Sequence, residues 1–197
     1  GTFSAPLLID ANSITTSTTA SIEVKSVNDY DNYTVSGTFQ TLIAKAQAKS
    51  IDLGFFPALK SATITMAGTK STAYAVTVTQ SSTVLEDLTV DGTTNTLSVS
   101  GANKLTSLTT AGEITDFTVA DTSTITTIAF GHTFISGDTA ATVTVSNVTA
   151  ITSLNMSSLT KVKTVRLTGN TKLASVTPPS STVLAEPVAP ISVVFYS

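Results

Sequence analysis

The side chains able to do chemistry are few, and almost all of them are hydroxyls. Ser and Thr make up about a third of the 197 residues, far above ordinary usage. Cys and Trp are absent, and His132 is the only histidine. Disulfides, zinc–thiolate centres and iron–sulfur clusters are thereby excluded. A Ser/His/Asp relay would have to be built on His132, and nothing in the spacing around Gly131-His132-Thr133 supports one, so an exposed loop is expected there. Glu86-Asp87 offers two carboxylates for glycosidic acid–base work, but adjacent residues on a strand face opposite ways, which predicts a solvated turn. Asn28-Asp29-Tyr30-Asp31-Asn32 carries oxygen atoms suited to calcium, yet it lacks the Gly and the closing Glu of an EF-hand loop and reads as a turn. The glycines fall into no phosphate-binding spacing. The expectation is a non-enzymatic chain with no catalytic residue, no cofactor and no metal site.

Charge narrows the partners. Ten Lys and Arg against thirteen Asp and Glu give a net charge of −3, which argues against a protein that neutralises nucleic-acid phosphates. The apolar runs are only a handful of residues long, so no membrane-spanning segment is expected. No basic stretch followed by an apolar one opens the sequence, as in a mature, processed chain. Charged residues are 12% of the chain, about half the ordinary share. Thr is β-branched and dresses a sheet in hydroxyls instead of charges. Together these features point to an extracellular or cell-surface location. Asn32-Tyr33-Thr34, Asn147-Val148-Thr149 and Asn155-Met156-Ser157 are glycosylation sequons, and Asp138-Thr139-Ala140 resembles an O-glycosylation acceptor. In so hydroxyl-rich a chain, such short matches also arise by chance.

The elements that must position the hydroxyls follow from a repeat. An apolar–polar–apolar step recurs at Ile51-Asp52-Leu53, Val76-Thr77-Val78, Leu97-Ser98-Val99, Phe117-Thr118-Val119, Val143-Thr144-Val145 and Val165-Arg166-Leu167. Six to eight residues after each step comes a second apolar pair: Leu59/Ala62, Leu85/Leu88, Leu105/Leu108, Ile125/Ile128, Ile151/Leu154 and Leu173/Val176. The steps lie 25, 21, 20, 26 and 22 residues apart. Each step predicts a short strand with two side chains inward and one outward, because Cβ directions alternate. One such unit cannot bury its apolar row alone, so neighbouring units must stack.

The last full unit reads Val162-x-x-Val165-x-Leu167-x-x-Asn170-x-x-Leu173-x-x-Val176. It resembles the leucine-rich repeat family, in particular the irregular repeats of bacterial surface proteins, over residues 50 to 177. The resemblance implies a solenoid in which an Asn at each turn satisfies backbone groups. Asn170 holds that position once; elsewhere it is Phe56, Ser81, Ala102, Thr122 and Val148, so an apolar or hydroxyl ladder must replace the Asn ladder. Helix-forming segments are scarce on the return side, where Thr109 to Thr115 and Thr177 to Ser181 are short and rich in Thr, Gly or Pro. Both sides of each coil are therefore expected to be extended. The fold class predicted is mainly β: a leucine-rich-repeat-like β-solenoid of about six coils over residues 50–177.

The ends differ. Residues 1–49 read as an N-terminal capping block, with strands at Ala20 to Lys25 and Tyr33 to Gly37 and one short helix near 39–49, where Leu42, Ile43 and Ala46 share a helical face. Residues 178–197 are a Pro-rich segment closing on a strand, Ile191 to Tyr196, which either caps the last coil or pairs outside the chain.

The outward positions of the steps form one row, Asp52, Thr77, Ser98, Thr118, Thr144 and Arg166. Two residues on runs a second, Gly54, Thr79, Ser100, Ala120, Ser146 and Thr168. The candidate binding face is thus Thr77, Thr79, Ser98, Ser100, Thr118, Thr144, Ser146, Arg166 and Thr168. Its predicted use is display, adhesion or partner binding, the partner being a protein or glycan on a surface, or a second copy of the chain. Two alternatives accompany that expectation. One is a structural subunit of a filament, surface layer or virion that assembles through the terminal strands, Phe3 to Ile9 and Ile191 to Tyr196. The other is an ice-binding protein, which regular Thr-x-Thr ladders on β-solenoids resemble.

Overall fold

The computed structural model describes residues 7–10, 19–24, 33–36, 41–46, 50–55, 59–67, 75–79, 84–131, 141–160, 162–180 and 192–196. The strands are β1 (Leu7–Asp10), β2 (Thr19–Val24), β3 (Tyr33–Ser36), β4 (Thr41–Ala46), β5 (Ser50–Asp52), β6 (Ser61–Ala67), β7 (Ala75–Val78) and β8 (Asp87–Ser100). After them come β9 (Ser107–Thr110), β10 (Glu113–Thr122), β11 (Thr127–Phe130), β12 (Ala141–Val148), β13 (Ser153–Asn155), β14 (Val162–Thr168), β15 (Ser175–Thr177) and β16 (Ser192–Tyr196). A 3-10 turn, Leu53–Phe55, follows β5.

All the pairings are parallel, and they form a β-solenoid. Its front sheet runs β5, β7, the second half of β8, β10, β12, β14 and β16. Its back sheet runs β2, β4, β6, the first half of β8, β9 and β11, and the separate pair β13–β15 continues the back of the later coils. The long strand β8 belongs to both sheets. The bend comes at Gly92, whose φ of 82° is open to glycine and strained for other residues. Gly112 stacks on it in the next coil with φ 92°, and a side chain there would run into the backbone of Gly92.

The opposite corner repeats the device. Gly101, Asp121, Asn147 and Gly169 follow register partners in successive coils, and all four have positive φ, between 51° and 67°. Asn and Asp are the non-glycine residues that visit this left-handed region most readily. Asn147 Nδ2 donates to Asp121 Oδ1 at 2.8 Å, tying one corner to the next.

Between the sheets lies one apolar core. From the front come Val76, Val78, Leu97, Val99, Phe117, Val119, Val143, Val145, Val165 and Leu167, all buried. From the back come Ala62, Ile64, Leu88, Val90, Leu108, Ile128 and Leu154. Phe117 of the front sheet meets Phe130 of the back sheet edge to face, with ring centroids 5.1 Å apart. That contact spans the coil and shows that the two inner faces interdigitate.

The capping block departs from expectation. The segment read as a helix near 39–49 contains strand β4, paired in parallel with β2 on one side and β6 on the other. Its Ala and Lys residues favour a helix locally, but Leu42, Ala44 and Ala46 also alternate with period two. In register with Ala62 and Ile64, that alternation joins a sheet, and pairing overrides propensity. The strands expected near residues 20–25 and 33–37 are present as β2 and β3. The closing strand is β16, paired with β14 within the chain. Among the described residues no helix is long and apolar enough to cross a membrane.

Candidate functional site

The outward rows of the front sheet are in register. Asp52 pairs with Thr77, Thr77 with Ser98, Ser98 with Thr118, Thr118 with Thr144, and Thr144 with Arg166. This is the row read from the spacing of the apolar steps. In the second row Ser100, Ala120, Ser146 and Thr168 are register partners, and Thr79 directly follows β7. Gly54 does not join them. It sits in the 3-10 turn, where its N–H donates to Asp52 Oδ1 at 2.8 Å, so the chain leaves the sheet after Asp52.

A third row went unnoticed in the sequence: Ala75, Thr96, Asp116, Thr142 and Thr164. Its signal was available, since these residues lie two before the central row and share its alternation. Across the three rows most side chains are half-buried, packed shoulder to shoulder at the strand spacing of about 4.8 Å. Asp116 and Arg166 are exposed and stand clear of the hydroxyls.

The back sheet carries a second hydroxyl array, also missed. Ser61, Asp87, Ser107 and Thr127 are register partners, as are Thr63, Thr89, Thr109 and Ala129. The sequence reading paired apolar residues three apart on this side. In each pair the first residue, such as Leu85 or Leu105, fills the corner, while the second, Leu88 or Leu108, lies on the strand. That spacing hides the alternation.

The corner position of Asn170 is filled differently in the other described coils, and Phe56 and Ser81 lie outside the described residues. Asn170 Nδ2 donates to the Val145 carbonyl at 2.8 Å, and its Oδ1 accepts from the Val148 N–H at 2.9 Å. In earlier coils Ala102 and Val148 fill the same place with fully buried apolar groups, and Thr122 with a buried hydroxyl. The hydroxyls of Thr94 and Thr122 have no hydrogen-bond partner.

Glu86 and Asp87 are both exposed at the entry to the back strand of β8. Their N–H groups donate to the Lys60 carbonyl, and the Glu86 carbonyl accepts from Thr106, so this pair serves the coil-to-coil ladder through its backbone. Among the described residues no group of three His, Asp or Glu could hold a metal ion. His132, Asn28 to Asn32 and Asp138 to Ala140 lie outside the described residues. No protein-family model, no curated protein and no solved structure matches this chain.

Proposed function

We propose that the chain is a non-enzymatic, extracellular display protein that adheres to a partner, a surface glycan or protein, through the front face of its solenoid. The observation carrying this reading is the register of the three outward rows, which presents Ser and Thr hydroxyls from five neighbouring strands on one nearly uncharged surface. Hydroxyls donate and accept hydrogen bonds alike, and short Ser and Thr side chains lose little rotamer freedom when covered. The rigid scaffold beneath them lowers the ordering required on contact. Kinship with the leucine-rich repeats belongs to the same proposal; the two hydrogen bonds of Asn170 to the preceding coil support it.

The test is retention on a panel of immobilised glycans and exterior proteins. Wild type is expected to bind a member of the panel, and Thr118→Lys/Thr144→Lys is expected to lose it while keeping its melting temperature. Equal retention of both proteins would overturn the assignment of the face.

A further inference from the structure

Resting on that reading of the front face, we infer that its partner is a second copy of this chain, docked face to face with the two solenoid axes antiparallel. The argument starts from charge. Residues 84–122 carry six carboxylates, Glu86, Asp87, Asp91, Glu113, Asp116 and Asp121, against the single amine of Lys104. Residues 151–180 carry Lys161, Lys163, Arg166 and Lys172 and no carboxylate. The solenoid is therefore acidic on one side of β12 and basic on the other, along its own axis.

The front face repeats that polarity within its rows. From β7 to β14 its three rows hold one acid, Asp116 on β10, and one base, Arg166 on β14. Both are exposed, and among the described residues neither has an ion-pair partner. β10 and β14 are the two neighbours of β12. A two-fold axis laid along β12 exchanges them. Asp116 of one copy then faces Thr164 of the other, with Arg166 two residues further along that strand, about 7 Å away. The long Arg stem covers that offset while its head stays at the rim. The symmetry supplies the contact twice, as an isologous interface requires.

The remaining surface suits a copy of itself. Thr142, Thr144 and Ser146 lie on the axis and meet their own counterparts, and each hydroxyl can donate to one neighbour and accept from another. The two hydroxyl rows of the back face hold Asp87 as their one charged residue, and a further register row there runs Glu23, Lys45, Thr65 and Asp91. Five strands of five residues offer roughly 400 Å² per copy. That is about half the area of a standard stable interface, so single molecules pair weakly and arrays of displayed copies pair firmly.

Sedimentation velocity on the full chain tests the pairing. Wild type is expected to move from 20.2 kDa toward twice that mass as concentration rises. Asp116→Arg alone and Arg166→Asp alone should each weaken dimerisation about tenfold or more, because each sets like charges opposite one another. Mixed in equal amounts, the two variants should recover the dimer, since the guanidinium introduced on β10 of one copy then meets the carboxylate introduced on β14 of the other. Asp116→Asn should give a smaller loss. Circular dichroism and melting temperature, expected unchanged at these exposed sites, keep misfolding apart from lost contact. A wild type that stays monomeric throughout, single variants that dimerise like wild type, or a mixture that stays monomeric would each overturn the pairing. Retention on a glycan or another protein by a strictly monomeric wild type would overturn this inference and leave the wider reading of the face intact.

Discussion

Replacing Gly112 by Ala probes how tightly successive coils are stacked. Gly112 has φ 92°, and a Cβ built on it lies 2.8 Å from the backbone N and C of Gly92 and closer still to its carbonyl oxygen. The obstacle is backbone in the adjacent coil, so no rotamer change relieves it. The left-handed conformation alone costs an L-residue about 1–2 kcal/mol. Forcing two packed backbones apart adds about 1–3 kcal/mol, as for an overpacked core. The sum, roughly 2–5 kcal/mol, corresponds to a fall in melting temperature of about 5–20 °C for a chain of this size. Gly131→Ala is the matched control. It lies at the same corner one coil on, with its nearest contacts at 3.2 Å to the Thr110 carbonyl oxygen and 3.6 Å to Ala111 Cβ. Its cost should stay below about 1 kcal/mol. Thermal unfolding followed by circular dichroism reads both. A Gly112→Ala protein melting within about two or three degrees of wild type, or no more affected than Gly131→Ala, would refute the stacking described at this bend.

Other substitutions test the core and the corners. Val99→Asp and Leu167→Asp each put a charge where the wild-type residue is buried, and either should unfold the neighbouring coils; a retained melting temperature would contradict the register. Thr122→Val and Thr94→Val remove buried hydroxyls that lack a partner, so each should stabilise the protein by up to about 1 kcal/mol in chemical denaturation, whereas Thr110→Val, whose residue is engaged, should not. Asn170→Ala leaves the Val145 carbonyl and Val148 N–H without their partner and should cost about 2–3 kcal/mol, with Asn170→Asp recovering only the bond from the Val148 N–H.

Much of the front sheet was legible because its code is local. An outward residue flanked by two inward apolar ones marks a strand, and its recurrence marks the coil, so Thr77, Ser98, Thr118, Thr144 and Arg166 could be aligned by eye. The back sheet was less legible because its apolar pairs straddle a corner and follow a spacing of three. In β4, Leu42, Ala44 and Ala46 satisfy a strand period while their neighbours suit a helix; only the pairing with β2 and β6 decides between them. The left-handed corner escaped notice because Gly101, Asp121, Asn147 and Gly169 share a conformation and not a residue type. The relation of Asp116 to Arg166 needed the third row, and fifty residues separate the two in sequence. Their symmetry about β12 exists only in the stacked coil.

The front face as contact surface is tested most directly by a single engineered cysteine, since the chain has none of its own. Thr144 lies in the central outward row on β12, where the two-fold axis brings it against its own counterpart, while Thr109 lies in the second hydroxyl row of the back face. Under mild oxidation, Thr144→Cys is expected to give a disulfide-linked species of twice the chain mass, and Thr109→Cys to remain a single chain. Equal cross-linking at the two sites, or cross-linking through Thr109→Cys alone, would contradict it.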